Sequence, residues 1–138
     1  MPQRDIYHDS VVKALLYEGW MITDDPLRLS YGGRNVYADL GAEQPIAAEK
    51  AGRKIAIEIK SFIGESDVHE LELSIGQYRM YRHILAELEP ERALYLAIPA
   101  FAYDGIFQEP LGQLMARREE LRLLIFDHRQ ERIRQWIP

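Results

Sequence analysis

The residues best suited to chemistry are Asp39 and the triplet Glu58-Ile59-Lys60. The triplet ends the run Lys54-Ile55-Ala56-Ile57-Glu58-Ile59-Lys60, whose alternation predicts a half-buried strand. A period of two puts Glu58 and Lys60 on one face and Ile55, Ile57 and Ile59 on the other. A carboxylate and an ammonium together at a strand end, with Asp39 one hairpin upstream, are the ingredients of a metal-dependent phosphodiesterase. Such a reaction needs a hard divalent cation held by oxygen ligands and left partly hydrated. The cation polarises the phosphate and lowers the pKa of an attacking water. Asp39, Glu58 and the Ile59 carbonyl are the candidate metal ligands. Lys60 is the candidate for orienting the water or stabilising developing negative charge.

The elements that must position these groups follow from local signals. Residues 5–18 read as a helix with Val11, Val12, Leu15 and Leu16 on one face and Gly19 as its stop. Residues 20–23 and 27–31 read as short strands on either side of the turn Asp24-Asp25-Pro26, the second closed by Gly32-Gly33. Residues 35–41 read as the strand carrying Asp39. Residues 46–50 and 53–60 flank Ala51-Gly52, which predicts a tight hairpin. A loop over 61–66 leads into a long helix over 67–88. Ser66 is its N-cap, and Leu71, Ile75, Tyr78 and Leu85 form its buried side. Pro90 ends it. The nearly all-apolar run 93–98 reads as a central strand buried on both faces. Helical turns interrupted by Pro110 fill 101–118. Residues 121–126 and 133–137 read as a closing pair of strands. The order predicts a single α/β domain over 1–138 with a central mixed sheet flanked by helices.

Composition narrows the function classes. A chain of 138 residues holds one domain with a real core. It has no cysteine, which excludes disulfides and thiolate zinc sites, and its four histidines are scattered. No apolar run approaches the roughly 20 residues of a membrane helix, and the first residues lack the apolar region of a signal peptide. A cytoplasmic protein without membrane contact is expected. The net charge of −5 disfavours a protein that holds DNA by charge alone.

An acid on one strand followed by acid-x-Lys at the end of the next resembles the PD-(D/E)XK superfamily, the restriction-endonuclease-like fold. Gln77-Tyr78-Arg79-Met80-Tyr81 has the Gln-x-x-x-Tyr form carried by a RecB-like branch on the helix after the lysine strand. Gln77 and Tyr81, at i and i+4, share a helix face. The resemblance implies that they position the phosphate or Lys60. His8 stands where the superfamily's first helix often carries an acid.

Longer strings resemble one small family, the fdxN element excision controlling factors of the XisH type. They include Tyr31-Gly32-Gly33-Arg34-Asn35-Val36-Tyr37, Asp39-Leu40-Gly41-Ala42-Glu43, Ile46-Ala47-Ala48-Glu49-Lys50, Ala93-Leu94-Tyr95-Leu96-Ala97-Ile98-Pro99, and the stretch from Glu58-Ile59-Lys60 through His69-Glu70. That resemblance implies cyanobacterial origin and a part in programmed excision of a DNA element during heterocyst development. It also implies cooperation with a companion protein, XisI, as a control factor and not as the recombinase.

Alternatives stand beside each assignment. If Ala51-Gly52 is the hairpin tip, Glu49 faces Lys54 and Glu43 falls opposite Lys60. Glu43 and Glu49 then share the face of Glu58 and compete with Asp39 as first acid. Glu-x-Lys alone is commonly a solvated strand face. Gln77 and Tyr81 also suit a polar helix edge and a core aromatic. His8 suits a hydrogen-bonded helix residue better than a ligand. The arginines after Arg117 are interleaved with acids, which marks a mixed solvated surface. Phe62 and Ile63 suit either a partner surface or packing beneath the long helix. Two functions from different classes follow. One is an Mg²⁺- or Mn²⁺-dependent DNA endonuclease using Asp39, Glu58, Lys60, Gln77 and Tyr81. The other is a catalytically inactive control factor that keeps the fold and acts through a partner such as XisI. A homodimer is an expectation in either case.

Overall fold

The computed structural model describes residues 6–36 and 45–138. Helix α1 (His8–Tyr17) buries Val11, Ala14 and Leu15. It ends at Gly19, whose φ of 90° lets the Gly19 and Trp20 N–H groups donate to the Leu16 and Leu15 carbonyls. Strand β1 (Met21–Asp24) follows. A two-strand hairpin, β2 (Ser30–Tyr31) and β3 (Arg34–Asn35), turns on Gly32 and Gly33, both at positive φ. The apolar run 27–31 therefore ends in a hairpin arm instead of forming one strand. Val36 already has helical geometry, so the strand expected over 35–41 stops at Asn35 within the described residues. The rest of that stretch, with Asp39 and Glu43, lies outside the described residues.

Strands β4 (Ile46–Lys50) and β5 (Arg53–Ile59) pair antiparallel, with Glu49 opposite Lys54 and Lys50 opposite Arg53. Ala51 and Gly52 both have positive φ, the requirement of the tightest two-residue hairpin turn. Helix α2 (Asp67–Leu88) is capped as the sequence predicts, the Ser66 hydroxyl accepting from the His69 N–H at 3.1 Å. Strand β6 (Arg92–Pro99) then runs parallel to β5. Short helix α3 (Ala100–Asp104) and a 3₁₀ turn lead to α4 (Pro110–Arg118). Pro110 begins α4 at its first position, where a missing N–H costs nothing, instead of interrupting a longer helix. Strands β7 (Leu123–Asp127) and β8 (Arg132–Ile137) close the chain as an antiparallel pair.

The six-stranded sheet has the order β1-β4-β5-β6-β7-β8, with β5-β6-β7 parallel and the outer pairs antiparallel. This is the mixed α/β sheet expected from the sequence. Two cores result. On one face Val11 and Leu15 of α1 pack on Ile46, Ala48, Ile55, Ile57, Ile59 and Tyr95. On the other, Leu71, Tyr78, Tyr81 and Leu85 of α2 pack on Ala47, Ala56, Leu94 and Leu96. The Tyr78 hydroxyl donates to the Leu94 carbonyl at 3.2 Å and accepts from the Arg122 N–H at 3.1 Å, tying α2 to β6 and to the start of β7. With both faces covered, β5 is fully buried along its second half, not half-buried as its alternation suggests. No helix among the described residues is long and apolar enough to cross a membrane.

Candidate functional site

Alternation along β5 places Ile55, Ile57 and Ile59 in the core beneath α1. It sends Ala56 and Glu58 the other way, into the layer under α2. Glu58 is only 2% exposed, and among the described residues neither of its carboxylate oxygens has a hydrogen-bond partner. Burial pushes its pKa up to about 8, against the opposing pull of the nearby Lys60 ammonium. A surface strand face would leave such a pair solvated, so the bland reading of Glu-x-Lys does not hold for Glu58. What the alternation could not reveal is that α2 closes over this face.

Lys60, two residues on, is half-buried. Its backbone N–H donates to the Ala97 carbonyl at 3.0 Å, which extends the β5–β6 pairing one step past Ile59 and holds the triplet at the C-terminal end of a central strand. Continuing the β4–β5 register one residue past Ile46 and Ile57 sets Pro45 beside Glu58. The Pro45 carbonyl accepts from the Leu27 N–H at 2.6 Å. Glu49 shares the face of Glu58, as its parity requires, but pairs with Lys54 near the hairpin tip. At about 3.3 Å per residue it sits roughly 13 Å along β4 from Pro45. That separation removes Glu49 from the candidate ligands.

Gln77 and Tyr81 both face the sheet from α2. Tyr81 is fully buried, and the buried Gln77 side-chain oxygen has no hydrogen-bond partner among the described residues. Gln77 is therefore not the polar helix edge that its type allowed. Three buried oxygens, two from Glu58 and one from Gln77, lack partners among the described residues and depart from the rule that buried polar atoms are paired. They are hard donors of the kind that Mg²⁺ or Mn²⁺ takes. Their chemistry fits a divalent cation. Among the described residues no three His, Asp or Glu gather as a ligand set. Asp39 and its alternative Glu43, assigned from the sequence, lie outside those residues.

His8 is 3% exposed, and its Nε2 lies 2.9 Å from Asp25 Oδ2. It is a hydrogen-bonded core histidine that ties the start of α1 to the turn after β1. Neither its burial nor this partner was legible from its position in the chain. Arg34 lies on exposed β3. The C-terminal arginines form the expected mixed surface, where Arg134 donates to both oxygens of Asp104 at 2.8 and 3.1 Å.

The loop after Lys60 is anchored by a strained residue. Phe62 has a φ of 55°, yet its ring is buried and meets Phe107 edge-on at 5.6 Å. Ile63 beside it is exposed. Packing beneath the helices therefore describes Phe62, and only Ile63 faces outward. A bulky residue at positive φ is disfavoured by roughly 1 kcal/mol or more, held here by ring burial. Removing the ring costs roughly 3 kcal/mol. Phe62→Gly should nevertheless be more stable than Phe62→Ala, reversing the usual order of glycine and alanine. Urea unfolding of the two variants reads this directly, and an unreversed order would contradict the strain.

A sequence model of the XisH protein family matches residues 1–134. The chain belongs to the XisH family. Two solved XisH-type structures superpose on it. One is an XisH family protein from Nostoc punctiforme, 41% identical, with a TM-score of 0.89 over 97% of this chain and 100% of that one. The other is a fdxN element excision controlling factor protein from Anabaena variabilis. It is also 41% identical, with a TM-score of 0.89 over 98% of this chain and 100% of that one. No functionally curated protein matches. XisH membership thus agrees with the resemblance read from the long strings around Tyr31, Glu58 and Ala93, and both relatives are cyanobacterial.

Proposed function

We propose that this XisH-family protein acts in controlled DNA excision, as the name of its Anabaena relative indicates, through a metal-dependent endonuclease-like site of PD-(D/E)XK type. The observation that carries the reading is the Glu58 carboxylate, buried beside Lys60 and without a hydrogen-bond partner among the described residues. An isolated carboxylate in an apolar layer is costly, and a cation partner removes that cost. Glu58 and the Ile59 carbonyl, with Asp39 from the sequence, would hold Mg²⁺ or Mn²⁺. The cation supplies positive charge to the phosphate and acidity to a bound water. Lys60 holds an ammonium where negative charge develops on phosphate oxygens. Gln77 orients a polar group of the substrate or the Lys60 ammonium, and Tyr81 fixes the helix turn on which Gln77 stands. DNA is the substrate in this reading, and an XisI-like companion is the expected partner.

The second reading keeps the fold as a binding module that acts through that companion. The acidic balance, −5 overall, favours it. Cleavage of supercoiled and nicked DNA separates the two readings. The full chain is assayed with Mg²⁺ and with Mn²⁺, with and without the companion, beside a Glu58→Ala/Lys60→Ala double variant. Metal-dependent cleavage that disappears in the variant is the expected result. Absence of cleavage in every arm would overturn the nuclease reading and leave the binding module.

A further inference from the structure

At the opposite end of β5 from Glu58, and on the opposite face of the sheet, lies a cleft of about 450 Å³. Trp20, Tyr95 and Trp136 form its aromatic wall, and Lys50 and Arg53 stand at its mouth. The three rings make one cluster. Trp136 meets Tyr95 edge-on at 5.0 Å and lies tilted 5.6 Å from Trp20. Glu18 and Pro138 also line the cleft, and the Trp136 ring N–H donates to a Glu18 carboxylate oxygen at 3.1 Å.

The two cations are the unusual feature. Lys50 and Arg53 are register partners across the hairpin, so their side chains leave the same face. Like charges directly opposite each other destabilise a strand pair. Both converge on one indole: Lys50 Nζ is 6.0 Å and the Arg53 guanidinium 5.6 Å from the Trp20 ring centre. Lys50 Nζ also donates to the Glu18 carbonyl, and Arg53 has no ion pair among the described residues. A sequence that needed only a hairpin end would gain by a carboxylate at either position. Two adjacent cations over an aromatic wall, in a cleft of ligand-binding size, suit an anion that carries a flat ring.

We infer that the cleft bounded by Lys50, Arg53 and Trp136 binds a nucleotide, its phosphate between the two cations and its base against the exposed part of Trp136. Arginine's planar fork matches phosphate oxygens, and lysine adds a point charge. Aromatic rings beside a cationic edge are how proteins hold nucleotide units without reading sequence. The ligand is a free nucleotide or one unit of a single strand. Arg53 and Glu58 stand five positions apart along β5, about 17 Å at strand rise, so this site is separate from the carboxylate site. It stands whether or not that site cleaves DNA.

The chain has two tryptophans, both in this wall, so intrinsic fluorescence reports on it directly. The full-length protein is titrated with adenosine monophosphate and with a short oligothymidylate at low salt. Parallel titrations use Arg53→Glu, Arg53→Gln and, as a charge control on another surface, Arg122→Glu. Quenching by either ligand is expected, with affinity reduced ~10-fold or more in Arg53→Glu. A smaller loss in Arg53→Gln and near-wild-type binding in Arg122→Glu should accompany it. Tighter binding of the oligonucleotide would assign the site to single strands, and equal binding to free nucleotides. Four results would overturn the inference: no quenching by either ligand, equal loss in Arg53→Glu and Arg122→Glu, inorganic phosphate competing as well as the nucleotide, or an acidic peptide binding where nucleotides do not.

Discussion

On the proposed nuclease reading, Lys60→Ala should lower metal-dependent DNA cleavage by ~10²-fold or more while leaving the fold intact. The magnitude follows from what one preorganised charge is worth at a reacting centre shielded from water. Lys60 is the residue to test because it combines two properties. It is half-buried, so its truncation leaves no large cavity, and it is close enough to Glu58 to pull that carboxyl's pKa downward. Its backbone bond to Ala97 survives the substitution, so β5 and β6 stay in register. The check is a single-turnover cleavage rate at fixed Mg²⁺ beside a thermal melt. A variant that melts like wild type and cuts like wild type would remove Lys60 from the reaction. Lys60→Arg keeps the charge but changes its shape, and should recover part of the rate.

Glu58→Gln makes the metal-free protein more stable at pH 8 and hardly changes it at pH 5. The sign follows from proton linkage. Burial raises the folded-state pKa of Glu58 from 4.5 to about 8. Between those values the folded protein holds a proton that the unfolded chain has released. Stability therefore falls as pH rises through this window, and levels off above about pH 8. The slope is about 1.4 kcal/mol per pH unit, so the gap between variant and wild type grows to the order of 4 kcal/mol across it. Glutamine has no proton to lose and nearly the same shape, so the variant lacks this slope. Asp104, held low by the Arg134 side chain, and Asp127, held low by the Gln130 backbone N–H, titrate below the window. Urea unfolding of both proteins at pH 5, 6, 7 and 8, without divalent metal, reads the difference. A gap that stays constant with pH would mean that Glu58 is solvated in the folded state. Added Mn²⁺ should restore wild-type stability at pH 8, because a ligand of the folded state stabilises it by mass action.

Much of the fold was legible because its signals are local. Ser66 before a periodic run, Ala51-Gly52 between alternating strands and the unbroken apolar run at Ala93 each mark an element by backbone chemistry alone. The parity of β5 assigned Glu58 to its face correctly. What parity could not give was depth. Whether a strand face is wet or dry depends on which helix folds over it, and that is set by contacts distant in sequence. The same reason hid the pairing of His8 with Asp25, seventeen residues apart. It also hid the cleft where Trp20, Tyr95 and Trp136 meet from three separate strands and loops. The run 27–31 misled because β-rich composition does not separate a strand from a hairpin arm, and Gly32-Gly33 decided the matter. Glu49 shares the right face with Glu58, but only the observed register shows how far along β4 it stands.

The measurement that bears most directly on Glu58 is Mn²⁺ binding to the purified chain between pH 6 and 8.5, for wild type and Glu58→Gln. Followed by electron paramagnetic resonance of the free ion, it needs no DNA and no companion. A metal must displace the Glu58 proton. Wild-type affinity should therefore rise up to ~10-fold per pH unit and level off near pH 8, and Glu58→Gln should lose both the affinity and its pH dependence. Binding that is equal in the two proteins and flat with pH would contradict the assignment of Glu58 as a metal ligand.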